Sequence, residues 1–141
     1  MQYNYNLKYI NMFDWKKPTV QMLGRWQPWH DGHQALFKRC VAKTGQVIIQ
    51  VRDVQGASGG DGQDDNPFDW DAVCKNIEDG LIKDNFKRGV DYEIMLVPNI
   101  VNITYGRGVG YAFDEEVFDE ATHSISATKI RKKMRDEGKL S

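Results

Sequence analysis

The stretch Gln46-Val-Ile-Ile-Gln-Val51 narrows the available folds more than any other part of this chain. Its β-branched run, preceded by Gly45 and followed by a polar loop from Asp53, predicts a buried strand of a parallel sheet covered on both faces. Parallel neighbours need crossover helices, and the flanking sequence offers them. Upstream, residues 20–23 form a short apolar strand. From Asp31 the pattern turns helical, with Ala35, Leu36, Cys40 and Val41 on one stripe and charged residues opposite. Asp31 is the expected N-cap. Downstream, a second helix is expected over about 68–87 with Val73, Ile77, Leu81 and Ile82 inward, and a third strand over 92–97 is closed by Pro98. A last helix runs from Ser126 to about Glu137, stopped by Gly138. This alternation of strands and helices is that of a doubly wound α/β sheet.

A chain of 141 residues has room for one such domain, which buries roughly two-thirds of the surface its unfolded form exposes. Residues 1–18, rich in Tyr, Asn and Phe without a clean period, read as an N-terminal arm, and 19–141 as the domain. The loop over 53–67 carries Gly56, Gly59, Gly60 and Gly62; it is either a lid or disordered, and its composition favours disorder. Residues 99–111 are irregular, and 114–123 are acidic and follow no period.

Composition excludes several classes of function. A net charge of −1 argues against binding a nucleic-acid backbone over a broad surface, although it leaves room for a local anion site. No stretch is apolar for long enough to span a bilayer, and the N-terminus lacks a basic start followed by an apolar core, so a cytoplasmic protein is expected. Cys40 and Cys74 each sit in a helical pattern beside apolar residues and read as small buried hydrophobes. A homo-oligomer remains open.

Chemistry concentrates in two places. Gly24-Arg-Trp-Gln-Pro-Trp-His-Asp-Gly-His33 lies where the first strand gives way to the first helix. Helix N-termini at the carboxyl ends of parallel strands accept anions through unpaired N–H groups. Gly24 would let the backbone approach a phosphate, Arg25 would neutralise one, and His30 and His33 straddle the helix start, where both can converge on it. A zinc site would need more ligands than the sequence places nearby, so no metal is assigned to protein side chains. The second place is Ser124-Ile-Ser-Ala-Thr-Lys-Ile-Arg131, with Ser126 as N-cap and Thr128 and Arg131 on one side of the helix. It reads either as a second anion cradle or as a capped helix with a basic, solvated face.

Together the two resemble a known pair. The first is similar to the G-R-F-Q-P-F-H-x-G-H signature of the HxGH nucleotidyltransferases. Residues 125–131 resemble their late I-S-S-T-x-I-R motif, with alanine replacing the second serine. Asn66-Pro-Phe68 is similar to the N-P-F segment of archaeal-type nicotinamide mononucleotide adenylyltransferases. The resemblance spans 24–131 and implies a Rossmann-like α/β/α sandwich with a parallel, roughly five-stranded sheet. It implies transfer of a nucleotidyl group, AMP by preference, from a nucleoside triphosphate to a small phosphorylated acceptor, with Mg²⁺ accompanying the triphosphate and pyrophosphate leaving. His30, His33 and Arg131 then take catalytic roles, and Gly24, Arg25, Trp26, Gln27, Ser126 and Thr128 bind nucleotide and phosphates.

For the acceptor the expected residues are Arg52 and Asp53 at the end of the second strand, Asn66 and Phe68 after the glycine-rich loop, and Arg107 in a glycine-flexed segment. Trp26 and Trp29 are candidates for stacking on a base or a pyridine ring, against a role in the core. A cytidylyltransferase acting on a phosphorylated alcohol or phosphonate, and a nucleotide-binding regulatory or fusion module without turnover, are the alternatives.

Overall fold

The computed structural model describes residues 12–56, 65–123 and 125–140. Most of the 53–67 loop and the first eleven residues of the arm lie outside that range. Three strands, β1 (Val20–Gly24), β2 (Val47–Arg52) and β3 (Tyr92–Val97), form a parallel sheet in the order β1-β2-β3. The helices α1 (Asp31–Thr44) and α2 (Trp70–Ile82) link them, and α3 (Glu120–His123) and α4 (Ala127–Asp136) follow. The fold is α/β with a parallel sheet. The further strands implied by the resemblance are not among the described residues, and β1 carries no strand on its second edge there.

Register places the strand ends together. Gly24 pairs with Val51, and Arg52 with Val97, so the carboxyl ends of all three strands form one edge. Along β2 burial alternates strictly: Val47, Ile49 and Val51 are buried, whereas Ile48, Gln50 and Arg52 are partly exposed. The expected cover on both faces is thus uneven among the described residues, full on one face and partial on the other. The buried face meets α1 and α2 in one core, where Met22, Val47, Ile49 and Ile94 pack with Phe37, Val73, Ile77 and Leu81. On the other face, Gln21 donates to Gln50, and polar side chains at both positions remove the drive to cover it.

Two helices differ in detail from expectation. The N-cap of α1 is His30, and Asp31 is the first helical residue. Inward from α1 point Gln34, Phe37 and Cys40, with Leu36 and Val41 at the margin. The ring of Phe37 meets Phe86 and Tyr92 edge-on. Helix α2 stops at Ile82, which is 52% exposed instead of inward, because the backbone turns away through Asp84 and Asn85 so that Phe86 can reach the core. Helix α4 has the expected Ser126 N-cap, and Gly138 beyond it takes φ 76°. At the amino end of the sheet, buried Gln46 brackets the backbone of Asp14, accepting from its N–H and donating to its carbonyl. No helix among the described residues is long and apolar enough to cross a membrane.

Candidate functional site

The turn after β1 is built around tryptophan. Trp26 adopts φ 55°, a conformation that bulky residues rarely hold without support. Its indole N–H donates to the carbonyl of Gln50 at 3.0 Å, and its ring folds back over Gly24. A Cβ at position 24 would lie 2.7 Å from that ring. The room that glycine creates is thus filled by Trp26, and not left open to a phosphate. Both tryptophans are core residues, Trp26 at 6% and Trp29 at 8% exposed. Trp29 donates to the Gln34 side chain at 2.8 Å, and Gln34 in turn donates to the Gly80 carbonyl and the Asp84 carboxylate. Of the two readings of these tryptophans, stacking on a base or a place in the core, their burial fits the core.

Gln27 is equally engaged. Its amide N–H donates to the carbonyl of Phe68 at 2.9 Å and its carbonyl accepts from the N–H of Phe68 at 2.8 Å. The residue expected to touch phosphates therefore clamps the Asn66-Pro-Phe68 segment against the turn. Asn66 is buried, and its Oδ1 accepts from Arg25 at 3.2 Å, which ties that segment to the exposed arginine beside it.

His30 and His33 form an unusual capping box in which imidazoles take the places normally held by hydroxyl and carboxylate. Nδ1 of His30 accepts from the backbone N–H groups of Gly32 at 3.1 Å and His33 at 3.4 Å. Nδ1 of His33 accepts from the backbone N–H of His30 at 3.2 Å. A nitrogen that accepts carries no proton, so each neutral ring holds its hydrogen on Nε2. The rings stack with centroids 3.5 Å apart and planes 18° apart. A Cβ on Gly32 would come 2.9 Å from the His30 ring, so glycine at that position is required by the pair.

Charge follows from this geometry. Burial lowers the pKa of both imidazoles, and the neighbouring His30 helps take His33 to about 3. Both are neutral near pH 7, with two Nε2–H donors side by side at a helix N-terminus.

The late motif reaches the same turn. Arg131 is 3% exposed, and its Nη1 donates to the Gln27 carbonyl at 2.6 Å across 104 residues of chain. Its Nη2 meets Thr128 Oγ1 at 3.3 Å and Asp65 Oδ1 at 3.5 Å. Burial lowers its pKa against the pull of Asp65, and Arg25 and Arg135 are close enough to push the same way. Ser126 caps α4, accepting from the N–H of Lys129 at 3.4 Å. The two sequence motifs thus share one junction, with Arg131 as its bolt.

At the strand edge Arg52 donates to Asn99 Oδ1 at 2.7 Å, while its buried Nε has no hydrogen-bond partner among the described residues. The Asp53 side chain is exposed, and its backbone N–H continues the ladder to Val97. Arg107 is exposed and makes no hydrogen bond or ion pair among the described residues, so nothing joins it to the junction. Sequence reasoning missed Asp65 and Asn99. Asn99 directly follows Pro98, and Asp65 directly precedes the Asn66-Pro-Phe68 segment, which was the available signal.

A cleft of about 490 Å³ opens beside His30. Pro28, Trp29 and Asp31 line one wall, Asp79, Gly80 and Lys83 of the α2 region the other, and Met134 the end. With Asp31, Asp79 and Asp84 around it, this cleft is poorly suited to a phosphate. Arg25, Arg131 and Arg135 mark the cationic side of the site.

No family model matches the chain. It is similar to a nicotinamide-nucleotide adenylyltransferase of Methanococcus aeolicus, with 24% identity over 126 residues, covering 83% of this chain and 71% of that protein.

Proposed function

We propose that the chain is a nucleotidyltransferase that moves a nucleotidyl group, AMP by preference, from a nucleoside triphosphate to a small phosphorylated acceptor. An acceptor phosphate oxygen forms a bond to the α-phosphorus as the α–β bridging bond breaks, and pyrophosphate leaves. The observation that carries this reading is the stacked histidine pair, which presents two neutral Nε2–H donors at a helix N-terminus. In-line phosphoryl chemistry is served by fixed donors and charge neutralisation more than by a protein nucleophile. Arg25, Ser126, Thr128 and Arg131 would face the β- and γ-phosphates, and Arg52, with its unpaired Nε, the acceptor phosphate. Asp53, Asn66 and Phe68 complete the acceptor assignment, which Arg107, unconnected to the junction among the described residues, does not join. The similarity to an adenylyltransferase of Methanococcus aeolicus supports AMP over CMP as the transferred group.

Mg²⁺ would enter with the triphosphate and offset its charge. Among the described residues no three His, Cys, Asp or Glu side chains gather, so its ligands there would be phosphate oxygens and water.

One observation favours a second reading. Arg131, Gln27 and Trp26 are each occupied by protein partners, as befits a nucleotide-binding module without turnover. Pyrophosphate release separates the two. The protein is incubated with each nucleoside triphosphate, Mg²⁺ and a panel of small phosphates, beside His30→Ala and His33→Ala. Release that falls at least about a hundredfold in either variant supports catalysis. Nucleotide-dependent thermal stabilisation with no release above the variants supports the module.

A further inference from the structure

Between β3 and α3 the chain presents apolar side chains to solvent. Val101, Ile103, Tyr105, Val109, Tyr111 and Phe113 are between 53% and 82% exposed. They expose of order 700 Å² between them, more than the largest apolar patch of a typical monomer. A partner in an interface of standard size buries about 800 Å².

This segment is shaped. The rings of Tyr105 and Phe113 stack at 4.5 Å and close a small lobe around Gly106, Gly108 and Gly110. Arg52 holds its entrance through Asn99. Lys43 holds its exit through Asp114 and Glu116, each at 2.8 Å, and Arg39 lies over the Phe118 ring at 3.9 Å. A lobe anchored at both ends and apolar between them is preorganised for a protein surface.

We propose that this lobe is a self-association surface, and that its occupant is the same lobe of a second copy of the chain. Charge selects that partner. Residues 98–113 carry one charged side chain, Arg107, and the next seven residues carry Asp114, Glu115, Glu116, Asp119 and Glu120. Asp114 and Glu116 are taken by Lys43, whereas Glu115 is exposed and makes no ion pair among the described residues. A two-fold contact of like apolar faces brings Arg107 of each copy toward Glu115 of the other, twice over. The inference does not depend on the reaction proposed above.

Sedimentation equilibrium from about 1 to 100 μM tests it. The wild-type chain should dimerise within that range, and Val109→Asp should weaken association at least about tenfold. Arg107→Glu should weaken it as well, and adding Glu115→Arg should restore it. A wild-type chain that stays monomeric at about 100 μM, or a Val109→Asp variant that dimerises equally well, overturns the proposal. So does strong, unchanged amide protection over 101–105 in monomeric Val109→Asp, since the segment would then pair within its own chain.

Discussion

The turn over 24–33 and the segment over 98–119 are both irregular, aromatic and glycine-bearing, yet they behave as opposites. In the turn Trp26, Gln27, Pro28 and Trp29 are all buried, and their polar atoms reach Gln50, Phe68 and Gln34. In the segment Tyr105 and Phe113 stack on each other and stay in solvent, with the anchors seen among the described residues lying at the two ends. The difference lies in where the bonds to other elements fall, all along the turn but at the two ends of the segment. A loop becomes rigid when its side chains bond to distant elements that are themselves fixed, whatever its composition.

The largest effect should come from breaking the turn. Trp26→Ala should cost about 3–5 kcal/mol in urea unfolding, as large-to-small core changes do. A loss below about 1 kcal/mol would show that the ring does not hold the turn. Next, Arg131→Met should cost about 3 kcal/mol, because it removes a charge-assisted bond and leaves the buried Gln27 carbonyl unmet. An unchanged unfolding midpoint would show that the two motifs are independent. Gly24→Ala should cost about 2 kcal/mol through crowding against the Trp26 indole. Its near-ultraviolet circular dichroism should change where that of a surface glycine variant does not.

The histidine pair sets a pH dependence. Unfolded histidine binds a proton near the usual 6.5, but folded His33 refuses one until about 3, and His30 is lowered in the same sense. Stability attributable to the pair is therefore complete above about pH 6.5 and falls as pH drops toward 3. The slope is up to about 1.4 kcal/mol per pH unit for each group. The carboxylates of Asp84 and Glu116, held below the usual range by hydrogen bonds, act in the same direction at lower pH. Unfolding should accordingly be compared between pH 7 and 5, where His33→Asn should show a flatter slope than wild type. Equal slopes would mean that His33 is not the group responsible.

The smallest effect concerns the other region. Lys43→Gln should move the unfolding midpoint little, since surface ion pairs contribute about 0–1 kcal/mol. Chymotryptic cleavage within 98–119 should nevertheless be faster, because Arg39 then holds the exit without Lys43, through the Val117 carbonyl and Glu116. Cleavage at the wild-type rate would show that the segment is held elsewhere.

How far this was legible in the sequence differs by element. Strand β3 and helix α4 were readable almost to the residue, because Pro98, Ser126 and Gly138 are local signals that act through their own backbone. The cap of α1 was misplaced by one residue, from His30 to Asp31, since the usual preference for aspartate hides an imidazole nitrogen that accepts just as well. The two motifs were recognisable as a pair, but the reason they meet was not. Arg131 bonds to a backbone carbonyl, and a carbonyl has no letter in the sequence. The same holds for Trp26, whose partner is the Gln50 backbone carbonyl. Strict alternation of burial in β2 was foreshadowed by Gln50, outweighed in the reading by its β-branched neighbours.

Because Gln27 grips the peptide group of Phe68 by both its N–H and its carbonyl, the grip is blind to which side chain position 68 carries. Any residue with an amide hydrogen satisfies it; proline alone does not. The side chain at position 68 can therefore be rewritten, at the cost of packing only, while the backbone beneath it keeps its place; Asn66, whose side chain is itself bonded to Arg25, cannot. A site constructed in this way can change what it admits without rebuilding the frame that positions it.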